Sequence, residues 1–382
     1  MITSQEFRNS VAGQLASAAS RVPSLTAFVG LDGFVDEILH VVDKRYDAVR
    51  FDRVPTIGDF GKRLVAADNS STNVELVCAQ TKLGGNGPIM ANALASLGLR
   101  VSYLGSLGYP ALHPVFNDFA ARAEVASVCG PGLTDALEFT NGKVMLGKHY
   151  TLKEVTWANI CSRYGREKFA ERFGSASLVG FVNWTMLPYM SDIWEAIQAE
   201  LLPAVTGPRR RIFFDLADPE KRTREDIRRA LDLILKFQSK FDVILGLNKK
   251  EAFEIGGVLG LPLPPKTDVK PDEVAPEALA ALAVEIQKRV PVETLVVHPV
   301  AFALAVSGGE ASVVAGPACS APKITTGAGD HFNAGFCLGK LLGLDNAASV
   351  LCGVSTSGHY VRTAESPTVS DLTALMTNWP QG

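Results

Sequence analysis

The chain has 382 residues, 47% of them hydrophobic, which is enough apolar side chain to bury a large core. Its 37 Lys and Arg against 40 Asp and Glu leave a net charge of −3, so neither nucleic acid nor an anionic membrane is expected as a partner. Six cysteines without C-x-x-C or metal-ligand spacing read as free thiols of a reducing compartment. The polar start Met1 to Glu6 and the lack of an apolar run of membrane-spanning length read as a cytoplasmic protein.

Short apolar runs at Thr26 to Gly30, Arg100 to Gly105, Leu178 to Val182, Arg211 to Phe214, Val243 to Leu247 and Thr294 to Val297 predict buried strands. Helical patterns cover Asn86 to Leu97, Asp192 to Leu201, Arg224 to Phe237 and Pro276 to Lys288, then Ala328 to Leu342 and Asp345 to Val361. This alternation predicts an α/β fold with a mostly parallel central sheet wound on both faces and ligands at the carboxyl ends of its strands. Two segments interrupt it. Residues from about 39 to 82 are polar and turn-rich, and Leu137 to Tyr150 reads as a hairpin turning at Asn141-Gly142. Leu261-Pro262-Leu263-Pro264-Pro265 reads as a surface connection.

The chemistry concentrates near the C-terminus, in Thr325-Thr326-Gly327-Ala328-Gly329-Asp330-His331-Phe332. Gly327 and Gly329 permit a tight turn into a helix, and the amides of Gly327, Ala328 and Gly329 at its positive end suit anionic phosphate oxygens. Asp330, just inside, can accept a proton from an attacking hydroxyl; as a bare motif it is also an ordinary acidic first-turn residue. Asn248 and Glu251, three apart at a helix start, fit either a capping box or an Mg²⁺ held through water. Gly30-Leu31-Asp32-Gly33-Phe34-Val35-Asp36 places two carboxylates four residues apart, on one side of an extended chain, where they can accept hydrogen bonds from hydroxyls. Gly33, Gly84 and Gly85 leave room for a ring to approach. His298, at a strand end, fits a nucleotide contact or a structural cap, and His331, His149 and His359 read as structural. Trp157, Trp184 and Tyr189 either line a sugar pocket or pack. The basic clusters Arg209-Arg210-Arg211 and Lys221-Arg222-Thr223-Arg224 read as solvated edges.

The string Thr-x-Gly-Ala-Gly-Asp followed by x-Phe-x-x-Gly-Phe resembles the C-terminal signature of the ribokinase family, the PfkB-type carbohydrate kinases. Leu83-Gly84-Gly85-Asn86 running into Ala91 to Gly98 is similar to the family's Gly-Gly sugar-binding segment, and Asn248-Lys249-Lys250-Glu251 to its Asn-x-x-Glu motif. The three lie in family order over nearly the whole chain. The resemblance implies a ribokinase-like three-layer sandwich as a single domain spanning 1–382, with lid insertions at about 39–82 and 134–155 and a homodimer through the lid in some members. It implies a Mg²⁺-dependent transfer of phosphoryl from ATP to a sugar-like hydroxyl, with Asp330 as base and Asn248, Glu251, His298 and Thr326 on the nucleotide and phosphate side. Asp36 is the better match to the sugar-binding carboxylate and Asp32 the second, with Gly33, Gly84, Gly85 and Asn86 beside them.

The chain also departs from that pattern. The Asn expected four residues after the Gly-Gly pair aligns with Ile89, the Asp expected ahead of the signature with Ile324, and the nucleotide-side Gly loop is replaced by His298 to Ala303. Stretches around Asp36, Asn86, Asp215 and His298 are similar instead to the ADP-dependent sugar kinases, although Phe213 stands where that branch has histidine. ADP as donor, a nucleoside acceptor and a catalytically weak sugar binder on the same scaffold therefore stay open. A Rossmann dehydrogenase does not fit, because Gly327-Ala328-Gly329 is followed by no strand ending in a ribose-binding acid.

Overall fold

The computed structural model describes residues 1–264 and 274–380. The Pro-rich connection is seen as far as Pro264; Pro265 lies outside the described residues. In chain order the strands are β1 (Thr26–Gly30), β2 (Phe34–Arg45), β3 (Phe51–Arg53), β4 (Leu76–Gly84), β5 (Arg100–Gly105), β6 (Glu124–Ser127), β7 (Gly132–Phe139), β8 (Gly142–Lys148), β9 (Leu178–Phe181), β10 (Arg210–Asp215), β11 (Phe241–Leu247), β12 (Thr294–Val297), β13 (Phe302–Ser307) and β14 (Glu310–Ala315). Nine of them form the main sheet in the order β14-β13-β12-β11-β10-β9-β1-β5-β6. It is parallel except for the last hairpin, where β12, β13 and β14 pair antiparallel.

Alternation within each strand divides the core into two layers. Phe28, Ile212, Phe214, Val243, Leu245 and Leu295 meet the helices Arg166–Ser175, Met190–Glu200, Arg224–Phe237, Lys249–Val258 and Pro276–Arg289 on one face. Val29, Phe213, Ile244, Val296 and Ala305 meet Gln5–Ala18, Asn86–Ser96, Ala328–Leu342, Asn346–Thr363 and Val369–Thr377 on the other. The result is a three-layer sandwich, as the sequence pattern predicts. The clusters Arg209 to Arg211 and Lys221 to Arg224 are edge residues here: Arg209 pairs with Asp242, and Arg222 lies over Trp184 with its guanidinium donating to the Leu187 carbonyl.

β1 pairs with β5 on one side and with β9 on the other, so the chain's winding reverses there. Such a switch point opens a crevice at the carboxyl end of the sheet. The chain leaves β1 directly into a second sheet, in which β2 pairs with β3, β4 and β7, and β7 with β8. This second sheet, where the resemblance expects the lid, begins at Phe34, five residues before the expected boundary, because the apolar residues of β2 continue the hydrophobic pattern of β1 after only a three-residue connection. The helix Ile57–Ala66 covers one lid face with Phe60 against Leu39, Val41, Leu137 and Phe139. The β7–β8 hairpin is present, but it turns at Thr140-Asn141, and Gly142 already pairs with Phe139 as the first residue of the return strand.

Candidate active site

The phosphate-side turn is built as its glycines require. Gly327, at φ +89°, caps the helix Ala328–Leu342 in the left-handed region, where a side chain is strained. The Ala328 amide closes the turn on the Thr325 carbonyl at 3.1 Å, so the amides left without a protein partner among the described residues are those of Gly327, Gly329 and Asp330. The sequence suggests Ala328 as a third open donor, but the tightness of the turn takes its amide. The Thr326 carbonyl accepts a hydrogen bond from the Tyr360 hydroxyl at 3.1 Å.

Asp330 is buried in the first turn of this helix, and its Oδ1 accepts from Asn86 Nδ2 at 3.0 Å. Asn86 opens the helix Asn86–Ser96 straight after Gly84-Gly85, so two motifs 244 residues apart meet at one contact. Burial, with Asp215, Asp32 and Glu251 nearby, holds the Asp330 carboxyl well above the usual carboxylate range. Asp32 is likewise pushed up to about 6, chiefly by burial. Asp215, ending β10, is pushed up to about 6 by burial, with Asp32 adding to it, and Glu251 to about 8 by burial and by the Asp215 charge. None of these four buried acids forms an ion pair among the described residues, and the amide oxygens of Asn183 and Asn333, whose Nδ2 groups donate to Asp32 and Asp215, are buried without a partner. The four acids do not converge into a metal-sized cage: among the described residues, the group of three acids whose ligand atoms lie within 4.8 Å of one another is Asp218, Glu220 and Glu254.

Asp32 and Asp36 do not share one face. Asp32 sits in the connection after β1 and turns into the body, accepting from Gly87 N at 2.9 Å, Asn183 Nδ2 at 2.7 Å and the Tyr103 hydroxyl at 3.2 Å. It clamps the switch-point crevice and is fully buried. Asp36 lies on β2 and faces a cavity of about 690 Å³ between the lid, the helix Asn86–Ser96 and the segment around Lys323. A side chain at Gly84 would overlap the Asp36 carboxyl, which explains that glycine; Gly33 is needed for the close approach of the Ser106 carbonyl rather than of a ring. Gly85 turns at φ +97° into the helix.

Asn248 and Glu251 form a complete capping box. Glu251 N donates to Asn248 Oδ1 at 3.0 Å, Asn248 N to Glu251 Oε2 at 2.8 Å, and Asp218 N to Glu251 Oε1 at 2.9 Å. The capping alternative is therefore realised, and any metal contact uses the remaining lone pairs or a bridging water. His298 packs on Phe332 with ring centroids 4.8 Å apart, beneath Gly329, and burial pushes its pKa down to about 4. Trp157 and Trp184 pack, donating to Glu200 and Ser191 respectively.

Residues 6–379 match the sequence model of the prokaryotic ketohexokinase family. The chain belongs to that family. It is a carbohydrate kinase of the PfkB type. A ketohexokinase of Haloferax volcanii is 29% identical over 366 residues, 95% of this chain and 94% of that protein. Among solved structures, a carbohydrate kinase from Agrobacterium tumefaciens superposes with a TM-score of 0.61 at 16% identity, covering 94% of this chain and 98% of that one. Phosphofructokinase-2 from Escherichia coli gives 0.60 at 14% identity, with 93% and 99% covered. Arabidopsis thaliana ribokinase, complexed with ribose and ATP, gives 0.59 at 15%, with 92% and 98% covered. These likenesses establish the ribokinase-type fold.

In this ketohexokinase-family chain several site residues escaped the sequence reading. Lys82 is the register partner of Asp36 across β2 and β4 and lines the same cavity with Asn92, Arg122, Lys323 and His331. Its ammonium is partly buried beside Asp36, and desolvation lowers its pKa. Strand register is non-local, so no linear spacing exposes that pair. Asp215 carries a legible signal, an acid ending an apolar strand; Asn183 and Asn333 carry none.

Proposed function

We propose that the protein transfers the γ-phosphoryl group of ATP to a hydroxyl of a ketohexose, with Asp330 as general base. The observation that carries this reading is Asp330 at the mouth of the helix Ala328–Leu342, flanked by open amides and tied through Asn86 to the glycine pair beside Asp36. Asp36 accepts hydroxyl hydrogen bonds and Lys82 donates to an acceptor oxygen, which orients the sugar in the lid cavity. Asp330 takes the proton of the attacking hydroxyl, and the amides of Gly327 and Gly329 stabilise charge on the transferred group. The family and the Haloferax relative support a ketohexose as acceptor.

The buried acids form no three-ligand cage, so Mg²⁺ would be held there through water, with Glu251 and Asp215 on its side of the site and Asn248 supporting Glu251. Bound there, Mg²⁺ would neutralise nucleotide phosphate charge. His298 and Thr326 adjoin the turn on the nucleotide side, His298 from beneath Gly329.

A cytoplasmic location is supported by six unpaired cysteines, and no described helix is long and apolar enough to cross a membrane. A second copy of the chain fits the outer lid, where β4 and β8 are edge strands and Leu76, Met145 and Leu146 are exposed. Assaying D-fructose, other ketohexoses, aldohexoses and nucleosides with ATP, ADP and pyrophosphate tests the reading. Turnover of D-fructose with Mg-ATP is the expected result; a nucleoside or aldohexose preferred by an order of magnitude would overturn the acceptor assignment.

A further inference from the structure

His331 follows the catalytic aspartate and is buried, yet the chemistry above does not use it. Its Nδ1 lies 2.8 Å from the Gly327 carbonyl oxygen and its Nε2 2.9 Å from Ser366 Oγ. A carbonyl can only accept, so Nδ1 carries the proton, and Nε2 must then accept from the Ser366 hydroxyl. Ser366 Oγ in turn accepts from Asn92 Nδ2 at 3.4 Å, and Asn92 Oδ1 accepts from Arg122 at 3.3 Å. Every donor in this series points the same way, from the Arg122 guanidinium to the peptide that forms the phosphate turn. The imidazole is clamped flat on Tyr360, ring centroids 3.6 Å apart and planes 12° from parallel, and the Tyr360 hydroxyl donates to the next carbonyl, that of Thr326.

We infer that His331 is a positioning residue for the phosphate-binding turn: it fixes the plane of the Gly327–Ala328 peptide through the relay Arg122–Asn92–Ser366–His331. The physical need comes from Gly327, whose left-handed conformation is one of many open to glycine, so the turn requires an outside restraint to keep its flanking amides aimed at one point. The Gly327 carbonyl takes two donors from the same residue, His331 N at 3.1 Å and Nδ1, and is thereby held in direction as well as distance. The links nearest the turn, His331 to Gly327 and to Ser366, are part-buried, whereas the Arg122–Asn92 link at the other end is exposed to solvent. Burial pushes the imidazole down to about 4, consistent with the neutral tautomer that the geometry requires. Because His331, Asn92 and Arg122 also line the acceptor cavity, the relay runs from the sugar side of the site to the phosphate side.

The role rests on the phosphoryl-transfer reading, and the test separates the two. His331→Leu, His331→Asn and Ser366→Ala are compared with wild type in steady-state assays on D-fructose and Mg-ATP, and in calorimetric titrations with Mg-ADP and aluminium fluoride, a mimic of the phosphoryl group in transfer. His331→Leu is expected to lower kcat about 10-fold or more and to weaken the mimic by a similar factor, with KM for D-fructose within about threefold. His331→Asn, whose Nδ2 reproduces the donor to Gly327, is expected to stay within about threefold of wild type. Ser366→Ala, which leaves the ring in place but unclamped, is expected to fall between them. A His331→Leu variant with wild-type kcat and wild-type binding of the mimic would overturn the role, as would an asparagine variant as impaired as the leucine one. Should wild type itself fail on D-fructose, the acceptor assignment fails, and the titration with the mimic still decides the role of His331.

Discussion

Replacing Asp330 by asparagine should have two opposite effects, one on rate and one on stability. The isosteric amide keeps an oxygen for Asn86 Nδ2 but cannot take a proton from the attacking hydroxyl, so kcat should fall by at least about 10², the usual worth of a general base, while acceptor affinity is nearly unchanged. Stability should move the other way. The Asp330 carboxyl is held well above its ordinary value of 3.8 by burial and by Asp215, Asp32 and Glu251, so the folded protein binds a proton that the unfolded chain releases. Stability therefore falls as pH rises above about 4, by about 1.4 kcal/mol for each unit until the folded-state pKa is reached. Asparagine removes that cost. The gain should be larger at pH 8 than at pH 5 in the ligand-free protein, and it should appear as a raised Tm. Coupled-enzyme kinetics and calorimetric melts at the two pH values read both effects. Activity within about threefold of wild type would remove Asp330 from the mechanism, and a variant that melts lower than wild type at pH 8 would refute the account of the buried acids.

Glu251→Gln should raise the Mg²⁺ concentration at half-maximal rate several-fold, because one anionic group leaves the metal side of the site; a lower Tm with unchanged Mg²⁺ dependence would leave Glu251 only its capping role. Asp36→Ala should weaken the acceptor by more than about 2 kcal/mol in calorimetry, the scale of losing charge-assisted hydrogen bonds in a closed site, and an unchanged dissociation constant would move the sugar away from β2. At matched Mg-ATP and Mg-ADP with D-fructose saturating, ATP should give the faster initial rate, although less tightly bound than in kinases that keep a glycine where this chain has Val300. An ADP rate equal to or above that with ATP would reassign the donor.

Local chemistry made much of the protein legible from its sequence. β1, β5 and β12 begin and end where their apolar runs do, and the helices Arg224–Phe237 and Ala328–Leu342 match their predicted bounds, because buried parallel strands and amphipathic helices each carry their signal within a few residues. The Gly327 turn, the Asp330 helix start and the Asn248–Glu251 pair were visible for the same reason, each being a motif of consecutive or near-consecutive residues. Tertiary structure decided what those motifs face. Asp32 and Asp36, equivalent in an extended chain, part company because the chain crosses from the main sheet into the lid between them, so one clamps the crevice and the other opens on the cavity. Lys82 joins Asp36 only through lid register, the four buried acids repel one another only because β1, β10 and two helices converge, and His331 reads as an ordinary helical residue until Ser366, 35 positions on, supplies its second partner. Spacing along a chain encodes contacts within a turn or a strand, whereas charge coupling and hydrogen-bond direction depend on which distant elements pack together, and only the folded sandwich fixes that.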